Sequence, residues 1–356
     1  MMLNVIVVNG FGNEELVKEY ENFYLKNPQS LVYGSLNYLR FLEDVTGSDP
    51  LLFICRDKDR IVGTLPVFVK RDAMGPVMNT LPWYGSNPGI ITDADGSPEP
   101  VYHALLERFS VFCRDAGALS STVITRPFEI ASPYERHFGA RAYQDYRVGM
   151  VNELPDPGPK AVDLIINQAH SKTRNQIRKG MKGGFAVAGG IEFMEDVVRL
   201  HQQNMKAIGA APKSDDVFEA LRRHFEYGRD YDVIVAREGT RTVAGAVTLY
   251  HNRTAEYFVP GLEAESRDRC PLHLVILEAM LSAVEKGMKW WNWGGTKPVS
   301  QHGVYHFKQR WGAREVLYYY FNKVYREDLL NELSNREILE RFRYFYVMPF
   351  EGRENA

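Results

Sequence analysis

The sequence predicts an α/β protein with mixed sheets, built from two tandem copies of one unit, and three observations carry that expectation. First, "LLFICRDKDRIVGTLPVFVKR" and "YDVIVAREGTRTVAGAVTLYHN" each read as strand, charged turn and strand, the pattern of a hairpin. Second, each hairpin is followed by one long amphipathic helix and one short strand, so a single helix crosses between parallel neighbours. Third, the chain writes G-A-R twice, in "RHFGARAYQDY" and "HFKQRWGAREV", each time ahead of a strand-like run. A glycine there lets a short helix stop and turn. Residues 51–148 and 231–320 are therefore expected to repeat one topology, with Gly139 and Gly312 in equivalent places.

The first crossover helix is "PEPVYHALLERFSVFCRDAG", with Leu105, Phe109, Phe112 and Ala116 at helical spacing. The second is "PLHLVILEAMLSAVEKG". There Leu272, Val275, Ile276, Ala279, Met280 and Ala283 share a face, Pro271 suits the first turn and Gly287 the position past the end. "LPDPGPK" is the richest Pro/Gly stretch and reads as the linker. The expected domains are 1–155 and 156–325, with a helical segment at 326–356 packing back on the first.

The 356 residues suffice for two domains, and 45% apolar with 25% charged residues is an ordinary globular balance. A net charge of -2 offers no overall field for DNA or an anionic membrane, so a basic site must be local. No run approaches a membrane span, no basic leader opens the chain, and the expected location is cytoplasmic. The three cysteines (Cys55, Cys113, Cys270) are far apart and read as small core residues. No metal site is expected: His302 and His306 are spaced i, i+4 but lack the glutamate of a zinc motif. "NGFGNEEL" and "GGTK" lack the spacings of nucleotide loops.

Five cations, Lys172, Arg174, Arg178, Lys179 and Lys182, fall within "SKTRNQIRKGMKGG", with Arg174, Arg178 and Lys182 on one helical stripe. They read either as a solvated face or as a clamp for a phosphorylated ligand. In "WYGSNPGI", Trp83 and Tyr84 read as a turn with a buried aromatic or as a stacking surface. Strand alternation in "TAEYFVPGL" sets Glu256 and Phe258 on one face and Tyr257 on the other. Lys308 follows Phe307 on a short helix. Phe307 and Trp311, four apart, are expected to face the core, which leaves Lys308 at the edge of the buried face. Its charge there suits a phosphate or a developing oxyanion, and the bland alternative is a solvated lysine.

The stretches "AVEKGMKWWNWGGT" and "GVYHFKQRWGA", after a Pro and a long helix, resemble the C-terminal half of the FemAB-like branch of the GNAT acyltransferase superfamily. That branch includes the aminoacyl transferases that build peptidoglycan cross-bridges. "SKTRNQIRKGMKGGFAV" and "NMKAIGAAPKSDDVFEAL" resemble the opening of its second domain. The resemblance implies two tandem GNAT-like domains, the first degenerate and the second catalytic. It implies an acyl-CoA or aminoacyl-tRNA as co-substrate, with no tightly bound cofactor. The acceptor would be an amine on a small molecule or on a cell-envelope or glycan precursor. It places Lys308 at the active site and Tyr257 and Glu256 on the strand lining the acyl cleft, with Tyr257 orienting the acceptor and Glu256 a base. Phe307, Lys172, Arg174, Arg178, Trp83 and Tyr84 are the substrate-binding set. "SRDRCPLHL" stands where acetyl-CoA enzymes carry a glycine-rich pyrophosphate loop. The glycines are absent here, and Arg267 and Arg269 are left to reach phosphates. A non-catalytic binding module for a phosphorylated ligand is the alternative that this loss favours.

Overall fold

The computed structural model describes residues 3–83, 85–93, 98–140, 145–207, 209–296 and 303–349. Contacts divide the chain into two compact units, Met1–Arg147 with Leu317–Ala356, and Val148–Val316.

The first unit opens with β1 (Leu3–Asn9), α1 (Glu14–Lys26), α2 (Leu36–Thr46) and the hairpin β2 (Asp49–Asp57) and β3 (Arg60–Lys70). β4 (Val77–Asn79), β5 (Ile91–Thr92), α3 (Glu99–Asp115), β6 (Ser120–Ile124) and α4 (Ser132–Phe138) follow, and β7 (Asp145–Glu153) leads into the second unit. The second unit continues with α5 (Ala161–Gln168), α6 (Ser171–Met181), β8 (Ala186–Gly189), α7 (Met194–Ala207) and α8 (Asp215–His224). Then come β9 (Tyr231–Glu238), β10 (Arg241–His251), β11 (Thr254–Leu262), α9 (Pro271–Glu285), β12 (Trp290–Thr296) and α10 (Gly303–Gln309). β13 (Arg314–Val324), α11 (Glu327–Asn331) and α12 (Asn335–Arg341) end the chain's regular structure.

The strand order in the first unit is β1-β2-β3-β4-β6-β13, and in the second β8-β9-β10-β11-β12-β7. The two correspond strand for strand. In each, the hairpin pairs antiparallel, and the strands flanking the crossover helix pair parallel: β4 with β6, β11 with β12. The tandem mixed-sheet class read from the sequence is therefore the observed one. One feature of the pairing departs from a simple duplication. The strand after the first G-A-R, β7, pairs with β12, and the strand after the second, β13, pairs with β6. Each half of the sequence thus completes the sheet of the other half.

The crossover helices explain why each unit holds. α3 buries Leu105, Leu106, Phe109 and Cys113 against β2 and β3, with the Phe53 and Phe109 rings 5.6 Å apart, edge to face. Each fully buried phenylalanine contributes ~1.5–3 kcal/mol. Cys113 takes the place expected of Ala116, which is exposed because the helix ends at Asp115. α9 is buried more completely, through Leu274, Val275, Ile276, Leu277, Ala279, Met280 and Ala283. It begins at Pro271 and ends before Gly287, which has φ +76°. Both G-A-R glycines have positive φ, Gly139 at +109° and Gly312 at +79°, so the repeated motif marks a backbone turn. No described helix is long and apolar enough to cross a membrane.

Candidate active site

In the second unit β11 and β12 are parallel partners at Thr254–Trp290, Ala255–Trp291 and Glu256–Asn292, and the pairing stops there. The cause lies on the other edge of β11. Val247 of β10 faces Val259 but Thr248 faces Tyr257, so Phe258 is an extra residue, a β-bulge. A bulge bends its strand and increases its twist. It also interrupts the alternation that sets Glu256 and Phe258 on one face.

The last pair is polar and buried. Asn292 Nδ2 donates to Glu256 Oε1 at 3.2 Å, and both residues are 1% exposed. The Asn292 Oδ1 accepts from the Gly294 amide at 2.9 Å. That amide therefore turns to its own strand and not to β11. The first unit shows the contrast. There the counterpart amide, Ile124 N, donates to Thr80 Oγ1 at 3.0 Å, which ties β6 to the segment after β4. The second unit opens at this place and the first is stitched shut.

Lys308 sits at the opening. It is 7% exposed, and its Nζ donates to the carbonyls of Gly294 and Gly295, both at 3.4 Å. These are long, weak hydrogen bonds. Among the described residues Lys308 has no acidic partner. Burial lowers its pKa from 10.5 to about 8. It is thus a buried ammonium near its titration point and not a solvated surface lysine. Trp311 is buried as expected, but Phe307 is only half-buried and Lys308, expected at the edge of the buried face, is the more deeply buried of the two. Phe307 lies 6.1 Å and Trp311 5.6 Å from the Trp293 ring, and His273 stacks on Trp311 at 5.9 Å. Burial pushes the His273 imidazole down to about 4, so it adds no charge to the group around Lys308 at neutral pH. Tyr257 packs on Trp293 at 5.1 Å, and burial holds its phenol well above the usual range, so its hydroxyl stays protonated.

α6 carries the basic stripe. Thr173, Ile177 and Gly180 are its buried side. A Cβ on Gly180 would come within 2.6 Å of the Cys270 carbonyl oxygen, so α6 lies tight against the start of α9. Lys172, Arg178, Lys179 and Lys182 are exposed, and Arg174 is half-buried with its guanidinium donating to the Ala169 carbonyl at 2.7 Å. Among the described residues none of the five has a carboxylate partner. At the start of α9, Cys270 has φ +63° and Pro271 lacks an amide. Arg267 is exposed there. Arg269 is already paired: its guanidinium donates to both Glu238 oxygens, the second at 2.9 Å, and stacks over Phe185 at 4.9 Å.

In the first unit Trp83 has φ +72°, its amide donates to the Tyr344 carbonyl at 2.7 Å, and its ring lies 5.5 Å from Phe41. It is a packed turn residue there. Tyr84 and His302 lie outside the described residues. The structure thus brings together Glu256, Tyr257, Phe307 and Lys308 in one unit. Sequence reasoning missed Asn292, the Phe258 bulge and His273. The one available signal was an asparagine between tryptophans in "WWNWGG", a polar residue in a run that reads as buried.

Residues 169–309 match the family described as "Acetyltransferase (GNAT) domain". No curated protein sequence matches the chain. Among solved structures, FemX superposes with a TM-score of 0.70 at 14% identity, covering 89% of this chain and 98% of that one. L-PGS from Bacillus licheniformis matches with a TM-score of 0.54 at 11% identity, covering 92% and 97%. A tandem GNAT protein from the clavulanic acid biosynthesis pathway matches with a TM-score of 0.51 at 11% identity, covering 90% and 98%. The matched residues form a GNAT-type acyltransferase domain, and the doubled fold is the one seen in a tandem GNAT protein. FemX, whose fold the chain shares over 89% of its length, is the solved structure that fits the FemAB-like motifs read from the sequence.

Proposed function

We propose that the second unit transfers an acyl or aminoacyl group from an activated carrier to an amine on a cell-envelope or polysaccharide precursor, by direct attack. The observation that carries this reading is the parting of β11 and β12 behind the Phe258 bulge, with the Lys308 ammonium buried at the opening. The amine nitrogen attacks the carrier's thioester or ester carbonyl, and the carbonyl π electrons move onto oxygen. Lys308 stabilises that oxyanion in a site from which water is largely excluded. Glu256 accepts the proton the amine loses, and the protonated Tyr257 hydroxyl orients the acceptor. The carrier's C–S or C–O bond then breaks, and the leaving group takes up a proton.

Carrier binding is assigned to Arg174, Arg178, Lys172 and Arg267, beside the start of α9. Side-chain cations there stand in for the absent backbone loop, and the fold favours acyl-CoA as the co-substrate, with aminoacyl-tRNA as the second candidate. A donor present at a hundredfold its dissociation constant raises stability by about 2.7 kcal/mol. Thermal unfolding with acyl-CoAs and with aminoacyl-tRNA therefore tests the reading, and silence from both classes refutes it.

The stripe has its own test. Replacing Arg178 and Lys182, both exposed, together with Gln is expected to leave Tm within about a degree or two, since solvated surface changes stay near ±0.5 kcal/mol. Donor affinity is expected to fall at least tenfold at low salt, with a smaller difference at high salt as screening takes over. An unchanged affinity at low salt rules out the clamp.

A further inference from the structure

The first unit has a counterpart to the Glu256–Asn292 pair. Asn79 and Thr122 are the last residues in register between its parallel strands, and Asn322 of β13 faces Thr122. The three side chains form one buried row across β4, β6 and β13. Their polar atoms converge on the backbone of the chain's own C-terminal segment. With its amide turned to satisfy both groups, Asn79 donates to the Tyr346 carbonyl at 3.0 Å and accepts from the Tyr346 amide at 2.7 Å. The Thr122 hydroxyl donates to the same carbonyl at 3.0 Å, and Asn322 Nδ2 donates to the Val347 carbonyl at 2.9 Å. One residue pair earlier, the Trp83 amide donates to the Tyr344 carbonyl at 2.7 Å.

The segment is also held by its side chains. Val347 is 1% and Phe345 7% exposed, and the Tyr346 ring lies 5.1 Å from Tyr320. α12 delivers it, with Arg341 reaching Asp72 at 3.3 Å. Tyr344–Val347 belongs to no helix or strand, yet its amide and carbonyls are read by side chains of three strands. Main-chain hydrogen bonds that supply affinity, with apolar pockets that supply selectivity, are how proteins grip extended peptides.

We propose that the Asn79–Thr122–Asn322 row is a peptide-binding slot, taken in cis by Tyr344–Val347, and that this occupancy closes the first unit at the place where the second unit opens. The ligand class is a short peptide that offers one residue's carbonyl and amide to the row and buries an apolar side chain on either side of it, as Phe345 and Val347 do around Tyr346. The slot stands on the geometry of the first unit and does not depend on the chemistry assigned to Lys308.

The test uses the full-length chain. Val347→Asp places a charge in a buried position and releases the segment while leaving the row intact. A fluorescent peptide of residues 342–349 is expected to bind this variant, and to bind the unaltered chain at least tenfold more weakly. Adding Asn79→Ala and Asn322→Ala to Val347→Asp is expected to reduce peptide binding at least tenfold. A cooperatively folded Val347→Asp chain that captures no peptide overturns the proposal. Should that variant fail to fold, hydrogen exchange on Asn79→Ala alone decides. The Tyr346 amide is expected to exchange at least tenfold faster with β2 and β3 unchanged, and an unchanged Tyr346 rate overturns the slot.

Discussion

Lys308→Met is expected to lower turnover by ten- to thousandfold while leaving the protein as stable as before or more so. The opposite signs come from one fact, the burial of an ammonium without an acidic partner among the described residues. Burial drops its pKa from 10.5 to about 8, a penalty on the charged form on the order of 3 kcal/mol. Methionine keeps the stem and removes that penalty. What it gives up are two hydrogen bonds at 3.4 Å, which are too long to be strong. The same substitution removes the charge that faces the oxyanion, and losing such a donor costs about 1.4–4 kcal/mol of transition-state stabilisation. Steady-state rates and thermal unfolding of the two proteins check both halves. A Met variant with full turnover sinks the assignment of Lys308.

The pH dependence follows with a definite sign. Below pH 8 the lysine is protonated in both the folded and the unfolded chain, and the folded chain carries the whole penalty. Between about pH 8 and 10.5 the folded chain sheds the proton and the unfolded chain keeps it, so this group adds stability as pH rises. Relative to Lys308→Met, the unaltered protein is expected to gain stability across that window. If the ammonium is the working form, turnover declines as pH climbs through about 8, and denaturant titrations and rates over this range read both trends.

Gly312→Ala is expected to destabilise the protein by about 2–4 kcal/mol, measured by denaturant unfolding. Two costs add. At φ +79° an alanine sits in the left-handed region, which costs roughly 1–2 kcal/mol. Its Cβ would also lie 2.8 Å from the Gln168 carbonyl carbon, and nearer still to the oxygen. Overpacking of this kind costs about 1–3 kcal/mol when the neighbour cannot move. Gln168 is poorly placed to move, because its Nε2 donates to the Glu153 carbonyl at 2.9 Å and its Oε1 accepts from Asn152 at 3.2 Å. A loss under 1 kcal/mol would show that the turn after α10 relaxes freely.

The doubled topology was legible because it rests on local patterns. Two hairpins with charged turns, two crossover helices at helical spacing and two G-A-R turns state the element order directly. Which strand lies beside which is a different matter. The strand after each G-A-R pairs in the other half's sheet, β7 with β12 and β13 with β6. No local spacing encodes that choice, since the partners lie far apart in the chain and compete only through tertiary packing. The candidate site was legible in part. "F-K" pointed to Lys308, but the arginines of "SRDRC" looked alike, and only the position of Glu238 distinguishes Arg269 from Arg267.

By itself, then, the sequence determined the element order, the repeat and the set of chemical groups on hand: one lysine after an aromatic, one basic helix, and a glutamate and a tyrosine on the strand before the crossover helix. The tertiary structure alone decided that Phe258 bulges, that β11 and β12 part behind it, that Lys308 is buried without an acid among the described residues, and that the C-terminal segment fills the first unit's polar row. The physical reason is one of range. Periodicity and turn preference are set by neighbours within a few residues, whereas burial, strand register and the pKa of a buried amine depend on atoms that only folding brings together.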